Sequence, residues 1–257
     1  VLPTWDVNPN LPFEAFSDDF TANPEATWRD FGAKPSFSVE KYYQDETYIP
    51  TNPEHQNIAM LDTLPAMPFQ YYLACDPGSR MSGFGISMAR WQGDKIFVDL
   101  CVRLKPPEGQ RILDPLTVQE YLVELSNHYA IAKGVFDVYN YPETIQRLTD
   151  NGIEIVTHNV KLADYEKLKA RQSGKMIDIC HYPYVEDELK GLRLLRGTKI
   201  EAADRGEVRS KDAADSLANV IWLMTEQKQQ KRGNPQMPRV FLSLAPKVVR
   251  YRNWRRR

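Results

Sequence analysis

The spacing of apolar positions changes once along this 257-residue chain, near residue 69. Residues 1–70 are rich in Pro, Asn and acids and show little periodicity. A short helix over residues 24–31 is the one element supported there, with Asn23 as cap and Pro24 in the first turn. Residues 69–76 then form a dense apolar run closed by Asp76-Pro77-Gly78, which reads as a buried strand ending in a turn. Residues 83–91 and 95–105 read as strands joined at Gln92-Gly93-Asp94, a hairpin signal, and Pro106 and Pro107 stop the second of them. Helical spacing over 115–132 places Leu116, Tyr121, Leu122 and Leu125 among its apolar positions. A short strand over 135–140 follows, then a helix over 142–151 stopped by Gly152, and a strand over 153–157. Helices are predicted over 162–172 and 185–196. A last helix, capped by Ser210, runs through Ala214, Leu217, Ala218, Ile221 and Trp222 to about residue 227.

A strand meander followed by right-handed β-α-β crossovers gives an α/β fold: a mixed sheet of five strands or more, flanked by helices on both faces. In that topology the ends of the first and fourth strands lie side by side, within reach of the start of the last helix. Four acids occupy those points: Asp76, Asp137 in Val135-Phe136-Asp137-Val138-Tyr139-Asn140, and Asp212 and Asp215 in Ser210-Lys211-Asp212-Ala213-Ala214-Asp215-Ser216. A carboxylate on an apolar strand is costly unless something neutralises it. Carboxylates brought to one point also raise each other's pKa, a penalty that divalent cations remove. The simplest reading is a Mg²⁺ or Mn²⁺ site. Periodicity alone leaves the helix acids in solvent, since Asp212 lies opposite the apolar stripe and Asp215 flanks it, but in the helix's first turn that face can still look onto the sheet's edge.

Composition narrows the choice. At 42% hydrophobic and 26% charged, the chain suits a soluble globular protein. No apolar run nears the ~18 residues of a membrane span, and no secretory signal is visible. Cys75, Cys101 and Cys180 lack metal-site spacing and read as buried reduced thiols. His128, His158 and His181 have no paired spacing for zinc and accompany no nucleophile pattern, so they read as surface or structural. Ser173-Gly174-Lys175-Met176 lacks the features of a phosphate loop. The start at Val1 suggests part of a longer protein. Residues 1–70 hold eleven acids against three bases, whereas the last eleven residues hold six bases and no acid. A basic body and tail suit a polyanion such as DNA.

The ordered acids carry a resemblance. Asp76-Pro77-Gly78, followed by Gly83-Phe84-Gly85, resembles the opening of the nuclease domain of tailed-bacteriophage large terminase subunits, which has the RNase H-like, RuvC-type fold. Ser210-Lys211-Asp212-Ala213-Ala214-Asp215-Ser216 resembles that family's closing motif. Pro24-Glu25-Ala26-Thr27-Trp28-Arg29-Asp30-Phe31-Gly32-Ala33 is similar to the segment that leaves a terminase's packaging ATPase. The resemblance spans roughly residues 20–225. It implies an irregular acidic arm from a preceding ATPase domain (1–68), a nuclease core (69–230) and a basic tail (231–257). It also implies a metal-dependent endonuclease that cuts concatemeric viral DNA during packaging in the host cytoplasm, with double-stranded DNA, the portal and the small terminase subunit as partners and no membrane.

On that pattern Asp76, Asp137 and Asp212 are catalytic, and Asp215 joins them in holding two Mg²⁺ or Mn²⁺ ions. Paired ions ~3.5–4 Å apart activate water and relieve charge on the leaving oxygen. Many relatives carry another acid soon after the first, an interval filled here by Ser79-Arg80-Met81-Ser82. Lys211 also stands where some relatives have an acid. Arg80 and Lys211 adjoin the expected site as phosphate contacts. Arg250, Arg252, Arg255, Arg256 and Arg257, interleaved with Tyr251 and Trp254, resemble a DNA-contacting tail. The rival readings are a resolvase or transposase nuclease, an actin-like ATPase, and a non-catalytic DNA-docking module. The ATPase would need a second Gly-rich phosphate turn, which Asp137-Val138-Tyr139-Asn140 does not supply.

Overall fold

In the central strands, alternate side chains serve two separate cores, and this decides which way the acids point. The computed structural model describes residues 2–8, 10–22, 27, 31–33, 40–43, 51–61, 63–78, 83–110, 112–137, 141–202 and 210–233. The chain begins with two short helices, α1 (Thr4–Val7) and α2 (Ser17–Ala22), and two short strands, β1 (Glu40–Lys41) and β2 (Asn52–Gln56). Three antiparallel strands follow, β3 (Gln70–Pro77), β4 (Phe84–Gln92) and β5 (Lys95–Leu104), as their apolar runs and the turn at Gly93 predict. Helix α3 (Pro115–His128), strand β6 (Ala130–Phe136), helix α4 (Pro142–Asp150), strand β7 (Glu154–Thr157) and helix α5 (Leu162–Ser173) come next. Strand β8 (Ile177–His181), helix α6 (Pro183–Gly191), the hairpin β9 (Arg193–Leu195) and β10 (Lys199–Glu201), and helix α7 (Asp212–Gly233) complete the described chain.

Seven strands form one mixed sheet in the order β2-β8-β5-β4-β3-β6-β7. On one face Tyr71, Leu73 and Cys75 of β3 and Phe84, Ile86 and Met88 of β4 pack with Val118, Leu122 and Leu125 of α3 and Leu148 of α4. On the other, Tyr72, Ala74 and Ala89 pack with α5, α6 and α7. Helices therefore cover both faces, as expected. By the two-residue alternation of β3, Asp76 belongs to the face of α7.

Four boundaries differ from the sequence reading. Helix α3 stops at His128, because Tyr129 turns extended (φ −114°, ψ 145°) and donates its N–H to the Leu125 carbonyl at 2.8 Å. The fourth core strand, predicted over 135–140, accordingly starts at Ala130; residues 138–140 lie outside the described residues. The helix predicted over 185–196 ends at Gly191. Arg196 and Gly197 then take left-handed conformations (φ 52° and 67°) and turn β9 into β10. Helix α7 extends to Gly233 rather than to about residue 227. The helix read over 24–31 falls mostly outside the described residues.

Two strands of the seven-stranded sheet were not predicted, β8 and β2, nor were the three of the small sheet β1-β9-β10. β8 pairs parallel to β5, and β2 adds to β8 at the edge. A buried polar network fastens this edge. Asp99 of β5 accepts hydrogen bonds from Tyr71 Oη (2.7 Å) and Arg90 Nε (2.6 Å), and His55 Nε2 lies 3.0 Å away. His55 Nδ1 lies 2.8 Å from Asp178 of β8, which also receives Lys95 Nζ (3.0 Å) and Asn52 Nδ2 (3.1 Å). Burial alone would lower the His55 pKa, but hydrogen bonds to the two carboxylates outweigh it and the net shift is upward. Burial likewise acts to raise Asp99 and Asp178, yet their hydrogen-bond donors bring both below the usual carboxylate value.

A raised histidine pKa stabilises the fold most below the unfolded value of 6.5, and this contribution is lost as pH rises through the folded value. The depressed carboxylates contribute above 3.8 and lose that contribution in acid. Wild type should thus exceed His55→Gln in stability by about 2 kcal/mol near pH 5.5, with the gap narrowing toward pH 9. Urea unfolding of both proteins at pH 5.5, 7 and 9 measures it, and a constant gap would remove the protonated bridge from the account.

Candidate active site

Small side chains let one helix lie almost directly on the sheet. The residues of β4 that face α7 are Gly85, Ser87 and Ala89, and α7 presents Ala213, Ala214, Ser216 and Ala218, all buried. Ser87 Oγ and Ser216 Oγ are 2.8 Å apart. A Cβ on Gly85 would overlap the Asp212 carbonyl, and one on Gly78 would come within 2.7 Å of the Asp212 carboxylate. A Cβ on Gly83 would strike both Arg103 and Asp212. The glycines singled out by the sequence around Asp76 are thus the floor on which the start of α7 rests.

Glu188 of α6 fixes that start from outside. Its Oε2 accepts from the Ala214 N–H (2.9 Å) and its Oε1 from Ser210 Oγ (2.8 Å). Ser210 Oγ also accepts from the Asp212 N–H at 3.2 Å, the cap expected from the sequence. Burial raises the Glu188 pKa to about 7 despite these donors. Sequence reasoning did not single out Glu188, whose acid character is unremarkable in the helix Pro183–Gly191.

The four predicted acids converge here. Asp76 ends β3 opposite Gly85 and is only 6% exposed. The N–H of Asp137, one residue past β6, donates to the carbonyl of Cys75 at 3.3 Å, which sets Asp137 beside Asp76 in the parallel pair. Burial raises the Asp76 pKa well above the usual value. The Asp215 charge raises it further, Lys211 opposes the shift, and Asp212 and Asp137 add to it. No hydrogen bond or ion pair reaches the Asp76 carboxylate among the described residues.

The two helix acids are engaged differently. Asp215 Oδ1 accepts from Tyr165 Oη of α5 at 2.5 Å, and Oδ2 is ion-paired with Lys211 Nζ. Burial raises the Asp215 pKa on balance, even though Lys211 and the Tyr165 hydrogen bond act to lower it. Asp212 Oδ2 accepts from Arg103 Nε at 2.7 Å, and Arg103 Nη1 donates to Tyr184 Oη at 2.7 Å. The expectation from periodicity, that both acids face solvent, fails for a physical reason. Helix α7 is sandwiched, with the sheet inside it and α5 and α6 outside, so residues off its apolar stripe are covered as well. With two acids held by cations, no group of three His, Cys, Asp or Glu among the described residues is spaced for a metal ion.

The other candidates divide. Lys211 is in the acid cluster on Asp215. Arg80, Arg250, Arg252, Arg255, Arg256 and Arg257 lie outside the described residues. Of the histidines, His158 stacks on Trp222 (ring centroids 3.7 Å apart) and lies 2.8 Å from Asp164, and His181 meets Glu186 at 3.1 Å. His128 Nε2 is 3.1 Å from the Pro65 carbonyl. All three cysteines are free and buried. Among the described residues no helix is long and apolar enough to cross a membrane.

Neither a protein-family model nor a curated protein matches the chain. Solved structures do. The large terminase of the thermophilic bacteriophage D6E aligns over 68% of this chain and 45% of its own, at 14% identity and a TM-score of 0.50. The large terminase of bacteriophage HK97 aligns over 61% and 40%, at 9% identity and a TM-score of 0.50. The magnesium-bound large terminase nuclease of thermophilic phage G20c aligns over 60% and 82%, at 18% identity and a TM-score of 0.48. The chain spans less than half the length of the D6E and HK97 proteins. The fold is the RNase H-like α/β fold of large terminases, as the motifs implied.

The close approach of α7 to β4 is testable with two glycines. Gly85→Ala should lose about 3 kcal/mol or more, because the backbone of α7 cannot yield as a flexible side chain would. Gly93→Ala, at φ 62° with open space around it, should lose only about 1 kcal/mol. Thermal or urea unfolding of the two variants gives the comparison, and equal losses would contradict the packing described.

Proposed function

We propose that this chain is the nuclease part of a viral DNA-packaging enzyme, a metal-dependent endodeoxyribonuclease acting on double-stranded DNA. The observation that carries the reading is Asp76, a buried carboxylate without a hydrogen bond among the described residues, facing the charges of three further acids from two other elements. An acid left in that state at a strand end is unfavourable unless a cation completes it. The donor set is all carboxylate oxygen, which suits Mg²⁺ or Mn²⁺ and does not suit zinc. Asp76, Asp137 and Asp212 would hold the metal, with Asp215 as an additional ligand. A divalent cation there would lower the pKa of a water and stabilise charge on the leaving oxygen. The chain's own residues do the positioning. Glu188 and the glycine floor fix the start of α7, Tyr165 orients Asp215, and the Arg103 guanidinium beside Asp212 is a donor for a phosphate oxygen.

In the same reading, Arg80 and the arginines at 250, 252, 255, 256 and 257 add phosphate contacts that position DNA without reading bases. Residues 1–68 connect to a packaging ATPase, 69–230 cut, and 231–257 form a basic tail. The portal and the small terminase subunit are the protein partners, and cutting of concatemers takes place in the host cytoplasm. One observation favours a second reading. Lys211 and Arg103 already neutralise two of the four acids, as a non-catalytic DNA-docking module would allow.

Plasmid DNA separates the two readings. The chain should nick or linearise plasmid with Mn²⁺ or Mg²⁺ and be silent in EDTA. Asp76→Asn and Asp137→Asn should each lower the rate by at least a hundredfold while DNA binding persists. Removing a clustered carboxylate relieves repulsion, so the metal-free melting temperature of Asp76→Asn should hold or rise. DNA binding with no cleavage in either metal would favour the docking module.

Deleting residues 247–257 should also flatten the slope of log affinity against log salt, by up to ~0.9 for each basic side chain that pairs with a DNA phosphate. Identical slopes for intact and truncated chains would remove the tail from DNA binding.

A further inference from the structure

Beside the acids, where β5 ends against α6, two cations share one aromatic ring. β5 stops at Leu104, and Arg103 and Lys105, two residues apart, project to the same side of the chain. Both meet Tyr184 in the first turn of α6. Arg103 Nη1 donates to Tyr184 Oη at 2.7 Å, and Lys105 Nζ lies 3.9 Å from the ring centroid, within cation–π range. Pro106 follows directly and biases residue 105 toward an extended backbone. Ring and proline together hold the amine in place.

Charge balance within the fold does not account for this lysine. Arg103 is paired with Asp212, but no carboxylate pairs with Lys105 among the described residues. Lys95, at the other end of the same strand, has Asp178 as its partner at 3.0 Å. Burial lowers the Lys105 pKa and the Arg103 charge lowers it further, with Glu188 acting the other way. An exposed lysine fixed beside an arginine, and given no acid, leaves the spot short of negative charge. Through Arg103 the spot adjoins Asp212, one of the acids that would hold the metal.

We propose that Lys105, held by Tyr184, seats a backbone phosphate of double-stranded DNA next to the one being cut, and so positions the strand across the acids. The inference rests on the DNA-cutting reading above, and adds to it a contact that neither the acidic motifs nor the basic tail supplies. An ammonium is a point charge, so the contact fixes position without reading bases.

The test measures binding and does not depend on cleavage. A short fluorescent duplex is titrated with the full 257-residue chain in EDTA, over a range of salt, and followed by anisotropy. Lys105→Gln should weaken binding about fivefold at about 0.1 M salt and lower the slope of log affinity against log salt by ~0.9. Lys105→Arg should keep the wild-type slope. Lys175→Gln, at an exposed lysine just before β8 and at the opposite end of the sheet, should keep it too. Tyr184→Leu should weaken binding when Lys105 is present and add little to Lys105→Gln, because the ring acts through the amine. Circular dichroism checks folding, and the Lys105 variants decide the matter if Tyr184→Leu does not fold. An unchanged slope in Lys105→Gln would overturn the inference and leave a plasmid-cutting nuclease intact. Additive losses in the double variant would overturn the part given to Tyr184. Absence of duplex binding by wild type would overturn both the inference and the DNA-cutting reading.

Discussion

The contact between the backbone of Asp212 and the bare Cα of Gly85 sets the geometry of everything around the acids. A helix normally stands off a sheet by the depth of its side chains. Here Gly85, Ser87 and Ala89 on β4 meet Ala213, Ala214 and Ala218 on α7, and the standoff collapses. The first turn of α7 consequently reaches the end of β3, where Asp76 lies opposite Gly85. Two consequences follow from chain geometry. Asp212 is lodged over Gly78 and Gly83, and Asp215, three residues on, turns toward Asp76 and Tyr165. Glu188 is required by the same contact. A helix start pressed into a protein interior leaves N–H groups that water cannot satisfy, and the Glu188 carboxylate accepts one of them.

Much of this was legible in the chain, and the parts that were not have definite causes. The central strands show as apolar runs because both their faces are buried, and the Gly93 turn marks their hairpin. The order of the acids was readable because strand ends and helix starts are where polar residues interrupt apolar patterns. The edge strands were harder. Ile177-Asp178-Ile179-Cys180-His181 does alternate between Gly174 and Pro183, so a signal existed for β8, but it is short and its Asp178 is held by Lys95, Asn52 and His55 from elsewhere. β2 carries almost no apolar signal, since its residues are mostly polar and mostly exposed. Its place comes from the His55 bridge, a tertiary fact with no local pattern. Periodicity alone misses the burial of Asp215 and the partial burial of Asp212 for a related reason. Helical periodicity reports one covered face, and α7 has two.

The molecule contains its own control for the meaning of a buried acid. Asp99 is as deeply buried as Asp76, with 2% exposure against 6%. Yet three side chains donate or bind to it, and its pKa falls below the ordinary value, whereas that of Asp76 rises well above. Burial pushes both upward, so the fall at Asp99 comes from its partners. Asp99 is finished within the fold: Arg90, Tyr71 and His55 answer each lone-pair direction, and the group fastens four strands together. Asp76 is surrounded mainly by other carboxylates, and Lys211 is the sole cation among the leading charges that act on it. A folded chain keeps such an arrangement only where the start of α7 is held by other contacts, here the glycine floor and Glu188. The stability of that scaffold sustains the unsatisfied carboxyl at Asp76, and this contrast with Asp99 is the ground on which the metal-binding reading is proposed.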